Sequence, residues 1–187
     1  MIEATWRKQG EARFFYGHLV EERQKKTSRH DPSAFRYYFS AFIQAARNVI
    51  WTLHSEQKEK WEAWRPKWES TLSGEDKKLL AFTNELRIDE VKRGGANPSV
   101  ELEEIVVHEL LALDFDLGRQ HPVQLFNQSA MPGVPSPKVF RPTYYFEHED
   151  GKHEVTALCQ RYLVFLEKML NDFCADNQPA SPDDGRH

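Results

Sequence analysis

Apolar positions recurring every three and four residues dominate the chain, and the longest such run lies between Asp31 and His54. Phe35, Tyr38, Phe39, Phe42, Ile43, Ala46, Val49, Ile50 and Leu53 fall on one side of a helix with 3.6 residues per turn. Asp31 stands at the N-cap position, Pro32 suits a first turn whose N–H groups have no intrahelical partner, and neither Gly nor Pro recurs until past Trp51. An apolar face this wide needs neighbours on several sides, so 31–54 is predicted to be the central helix. Ala41, Ala45 and Ala46 would let one of them approach closely.

The same period predicts a first helix from Trp6 to about Lys26, carried by Ala12, Phe15, Tyr16, Leu19 and Val20 with Trp6 and Phe14 beside them. The short polar link Thr27–His30 makes it an antiparallel hairpin with the central helix. Trp61, Trp64, Trp68 and Leu72 mark a helix over Gln57–Leu72, with Pro66 predicting a kink or break. A turn and cap at Ser73–Asp76 precede a helix over Lys77–Arg93 with Leu79, Leu80, Phe82, Thr83, Leu86 and Val91 on its face, stopped by Gly94-Gly95.

Beyond Ala96–Ser99 the helical period gives way to the apolar run Val100–Leu113, which predicts a strand within Glu103–Leu111. Residues 114–140, rich in Pro and Gly, read as a long irregular loop. Arg141–Phe146 and the residues through Val155 read as a β-hairpin turning at Asp150-Gly151, and the two strand regions are able to pair. A last helix, Glu154–Phe173, has a broad face including Leu158, Tyr162, Leu166, Met169 and Leu170, and from Ala175 the tail is predicted to be disordered. The expected architecture is mainly α: one domain over 1–174, an antiparallel bundle of four to five helices with its core in 6–95, and a small β-hairpin or three-stranded patch before the C-terminal helix.

Composition fits such a domain: of 187 residues, 40% are hydrophobic, 29% charged and 12% aromatic, too apolar for a disordered chain. No stretch approaches the roughly 20 apolar residues that span a bilayer, and the N-terminus lacks the basic-then-apolar order of a signal peptide, so a cytoplasmic protein with no membrane association is expected. Cys159 and Cys174 lie about 22 Å apart along one predicted helix, too far to bridge. Up to Gly95 there are 18 Lys and Arg against 14 Asp and Glu, and from Ala96 onward 7 against 15. That asymmetry permits an anionic partner on the N-terminal half without the domain-wide basicity of a dedicated nucleic-acid binder.

Candidate chemistry is sparse. The tryptophan stripe is assigned to packing rather than to base stacking. His148 and His153 would face each other across the Asp150-Gly151 turn beside Glu147 and Glu154, but a structural zinc site needs four well-spaced ligands, and no metal or other cofactor is expected. There is no Gly-rich phosphate loop opening a helix, no GxSxG and no Cys–His signature.

The central helix FRYYFSAFIQAARNVIWTL, above all Ser40-Ala41-Phe42 and Ala45-Ala46-Arg47-Asn48-Val49, follows a helix with FFYGHL and precedes one with Asn84-Glu85-Leu86-Arg87. Over residues 6 to 95 this resembles the HEPN superfamily of helical domains from toxin, defence and RNA-processing proteins. The resemblance implies a metal-independent ribonuclease motif of Arg, usually a following polar residue, and a His some five to seven residues after the Arg. Arg87 matches the Arg, whereas Lys92 stands where the His belongs. Cleavage by the 2′-hydroxyl needs a group that exchanges a proton near neutral pH and a fixed cation for the phosphate. Arg87 supplies the cation, and Lys92 would need strong desolvation to act as a base.

The resemblance therefore implies a nuclease-weakened or inactive component that binds RNA or a cognate protein partner, in a homodimer with two Arg motifs facing. Arg87, Lys92 and Asn48 are the candidate catalytic residues, and Arg47, Asp89 and Arg93 the candidate binding residues. An active ribonuclease and a purely structural module are the alternatives. In the second, Arg87 pairs with Asp89, Glu85 or Glu90 and Asn48 is buried and hydrogen-bonded.

Overall fold

The computed structural model describes residues 2–105, 138–148 and 151–177. Its elements are α1 (Glu3–Gln24), α2 (Pro32–Glu56), α3 (Lys58–Thr71), α4 (Gly74–Lys92), β1 (Ser99–Ile105), β2 (Val139–His148), β3 (Gly151–Glu154) and α5 (Val155–Asp176). The protein is mainly helical, with a small antiparallel sheet of order β1-β2-β3 before the last helix.

Helix α2 is central, touching α1, α3, α4 and α5. Its start is fixed as the sequence requires: Asp31 accepts hydrogen bonds from the Ser33 and Ala34 N–H groups at 2.8 and 3.2 Å. Phe35, Phe42, Ala46, Val49 and Leu53 are fully buried along one stripe. Helix α1 runs antiparallel to it, because the Ala4 and Thr5 N–H groups at the start of α1 donate to Glu56 at the end of α2. Glu56 thus caps a helix whose own N-cap residue, Ile2, has no capping side chain. At the opposite end the buried Glu22 carboxylate accepts from the Asp31 N–H at 2.7 Å and from Lys25.

Trp61, Trp64 and Trp68 are buried against α5, where they meet Phe173 and Phe165, and the Trp64 and Trp68 indole N–H groups donate to Asp176 and Asp172 at 2.8 and 3.0 Å. Packing is thus their role. Of the kink or break expected at Pro66 there is no break, since helix α3 continues through it. Pro66 removes the bond to the Glu62 carbonyl, but both residues lie on the exposed side, where water replaces the lost donor, while the tryptophans hold the buried side. Helix α4 begins at Gly74 under a Ser73 cap that accepts from the Asp76 N–H, and it ends at Gly94 and Gly95, both at positive φ. Val91 is exposed rather than part of its buried face.

Strand β1 begins at Ser99, earlier than the apolar run implied, and is mostly exposed. Glu103 faces Arg141 of β2 in the register and pairs with it at 3.0 Å, and Glu101 pairs with Lys152 of β3 beyond. Val139 and Phe140, expected in the long loop, belong to β2, while the remainder of that loop and residues 106–111 of the expected strand lie outside the described residues. β2 tolerates Pro142 because β3 reaches back only to Tyr145, leaving one side of the strand unpaired there. His148 pairs with Gly151, which takes φ +127°, and Asp150 of the expected turn lies outside the described residues. Glu154 caps α5 by accepting from the Ala157 N–H at 2.6 Å. The last helix continues through Ala175 and Asp176, which the sequence assigned to a disordered tail; residues 178–187 lie outside the described residues. Cys159 and Cys174 are free, and burial pushes the Cys159 thiol well up.

Candidate functional site

Arg47 lies one turn after Ile43 and one turn before Ile50, and Arg87 one turn after the buried Thr83, so each cation interrupts a helix face turned toward neighbouring helices. Because α2 packs on α4, the two side chains meet around a cavity of about 20 Å³, which Ile43, Leu80, Thr83, Asn84 and Tyr162 of α5 complete. The Nε atoms of both arginines are buried without a hydrogen-bond partner. Among the described residues neither guanidinium forms an ion pair, and no carboxylate lines the cavity.

The electrostatics follow. Burial lowers the pKa of Arg47; Tyr162 opposes the shift, and the Arg87 and Arg65 charges add to it. An arginine keeps its proton across the working range of proteins, so that direction describes an uncompensated cation rather than a neutral one. Burial raises the Tyr162 pKa, countered by Arg47, the Thr83 hydroxyl and Arg87. The cavity has room for about one water molecule, so any larger group could meet Arg47 only from outside it.

The outside is a groove of about 740 Å³ between α2, α3 and α4, floored by Phe165 and Met169 of α5 and sharing Arg47, Leu80 and Asn84 with the small cavity. Trp51, 57% exposed, stands on its rim with the Arg47 guanidinium 5.5 Å from the ring centre. Arg65 pairs with Glu69 at 2.7 Å, and His54 with Glu62 at 3.3 Å. Arg47 is therefore the groove's unpaired cation among the described residues.

The six residues singled out by sequence separate into two groups. Arg47 and Arg87 come together, but Asn48 is exposed and absent from both linings, because one residue further along a helix turns a side chain by about 100°. Lys92 is exposed in the last turn of α4, off the Arg87 face. Asp89 lines a different opening, with Glu85, Tyr145 and His148, and is paired with Arg93 at 2.7 Å. The acidic partners proposed for Arg87 are engaged elsewhere: Glu85 lies 3.7 Å from His148, and Glu90 accepts from the Ala96 N–H at 2.8 Å. Register puts His153 opposite Phe146 rather than His148, and the described residues contain no group of three or more His, Cys, Asp or Glu able to hold a metal.

Tyr162, Trp51, His54 and Arg65 were not found by sequence. His54 carried a usable signal, lying two turns after Arg47 on one face of α2. No protein-family model, curated protein or solved structure matches the chain in the comparisons made. No described helix is long and apolar enough to cross a membrane.

Proposed function

We propose that the chain is a HEPN-like RNA- or partner-binding component of a prokaryotic toxin or defence-type system, with weakened or absent nuclease chemistry, which holds phosphate on Arg47 with the Arg87 charge behind it. The observation that carries this reading is the pair of half-buried arginines whose Nε atoms are buried without a hydrogen-bond partner. A buried polar atom without a partner costs about 1–3 kcal/mol, more when charged, and a bound phosphate removes that cost. Weak chemistry follows from the lining around Arg87, which includes neither histidine nor carboxylate, while burial moves Tyr162 away from neutral titration. The test is titration of labelled RNA at low salt, where phosphate contacts are strongest. Wild type binds and Arg87→Met loses affinity; equal affinity in the two contradicts the proposal.

A second reading, an active metal-independent ribonuclease, draws support from His54, which shares the groove with Arg47, since histidine is the usual proton carrier near neutral pH. Incubating RNA in EDTA with wild type, Arg87→Ala and His54→Ala decides between them: cleavage lost in both variants establishes the enzyme.

The proposal includes a homodimer. Trp61 and Trp64 are consumed by the chain's own core, but Phe14 on α1 and Tyr37 on α2 remain 60% and 72% exposed. Light scattering on a sizing column is expected to give about 44 kDa, and a concentration-independent 21.9 kDa species removes the dimer.

A further inference from the structure

We infer that the groove beside Arg47 is a subsite for one unpaired base of single-stranded RNA, which lies against Trp51 while its phosphate is held by Arg47; this rests on the phosphate-binding reading above. The groove and the two-arginine cavity are not independent features, because Arg47, Leu80 and Asn84 line both. An anion cannot enter the roughly one-water cavity, so Arg47 receives it from the groove, and whatever carries the anion then occupies the groove.

The groove fixes the chemistry of that carrier. Its volume of about 740 Å³ is in the range of small-ligand sites. Its floor is apolar, through Leu80, Phe165 and Met169, and its rim is polar, through His54 and Asn84. A flat ring with apolar faces and a hydrogen-bonding edge suits both. Trp51 presents more than half of its surface to solvent at the rim, unlike Trp61, Trp64 and Trp68, which are 4–8% exposed. Trp51 is therefore available to stack on a base, and the Arg47 guanidinium beside its ring joins the stacking surface to the charge. Arg65 and His54 are already paired with Glu69 and Glu62, which leaves a single strong anion contact and favours one nucleotide over a duplex backbone. A base-paired strand also hides the faces that a tryptophan needs.

The experiment compares a short labelled oligoadenylate RNA, the same sugar–phosphate strand without bases, and an RNA duplex by fluorescence anisotropy at low salt. Wild type is expected to prefer the oligoadenylate over the abasic strand by about fivefold to a hundredfold, the worth of one base–aromatic stack. Trp51→Ala, exposed and tolerable to the fold, is expected to erase that preference while keeping abasic-strand binding, and Trp51→Phe to restore most of it. Arg47→Gln is expected to weaken both strands. If Trp51→Ala leaves the preference intact, or the duplex binds as well as the single strand, the base subsite is wrong while phosphate binding stands. If no strand binds wild type, or polyglutamate competes as well as RNA with no dependence on Trp51, the RNA reading and the subsite fall together.

Discussion

Two polar clusters lie along helix α2, one beside its start and one past its middle, and they are completed differently. Near its start Glu22, His30 and Tyr144 satisfy one another. His30 Nδ1 lies 3.0 Å from the Glu22 carbonyl, which can only accept, so in the neutral ring Nε2 accepts from the Tyr144 hydroxyl at 2.6 Å. The Glu22 carboxylate also holds the Asp31 N–H, and Tyr144 stacks on Phe35 at 3.9 Å. Further along α2, Arg47 and Arg87 face each other with their Nε atoms unpaired. The first arrangement is finished by the chain itself and belongs to folding. The second is unfinished among the described residues, and buried Nε donors left so are better explained by something that binds than by something that stabilises.

The largest expected effect lies in the finished cluster. Glu22→Ala strands the Asp31 N–H and removes the Lys25 partner, while His30 keeps the Glu22 backbone carbonyl, and we expect a loss of about 2 kcal/mol in chemical denaturation, with the RNA affinity of the remaining folded protein unchanged. A cost below about 1 kcal/mol would make the corner ornamental and dissolve the contrast.

Much of the finished region was legible in the sequence because local rules govern it. Asp31 with Pro32, Ser73 and the Gly94-Gly95 pair fix helix ends through backbone chemistry that neighbours do not alter. The site was half legible for a geometric reason. Arg47 and Asn48 are adjacent in sequence but point about 100° apart, and only the packing of α2 on α4 decides which one meets Arg87. Lys92 and Asp89 fail on the same ground, since five and two residues from Arg87 do not return to its face. The usable signal was an arginine occupying a position of the apolar stripe. Glu56 capping α1 was not legible, because the two residues are far apart in sequence and meet only in the hairpin.

A smaller effect tests that cap. Burial alone would raise the Glu56 pKa, but hydrogen bonds from the Thr5 hydroxyl and from the Thr5 and Ala4 N–H groups outweigh it and lower the value in the folded state. A depressed carboxylate pKa contributes stability above the unfolded value, lost as pH falls through the folded one. We expect Glu56→Gln to cost about 1 kcal/mol at neutral pH and to flatten the acid limb of the stability profile below pH 4.5, the ordinary value for this group. An unchanged limb would remove the cap. The smallest effect belongs to the exposed Asp89–Arg93 pair: Arg93→Ala should change stability by under about 0.5 kcal/mol and leave RNA affinity intact. A marked affinity loss would return that face of α4 to the site.

The most direct test of the contrast is one variant measured two ways. Arg87→Met keeps the side-chain length and removes a half-buried cation that no described residue neutralises. We expect its thermal midpoint without ligand to equal or exceed that of wild type, and its RNA affinity at low salt, together with RNA-induced stabilisation, to be lost. A variant that unfolds more readily than wild type while binding RNA as well would contradict the account, since Arg87 would then serve the fold and not the ligand.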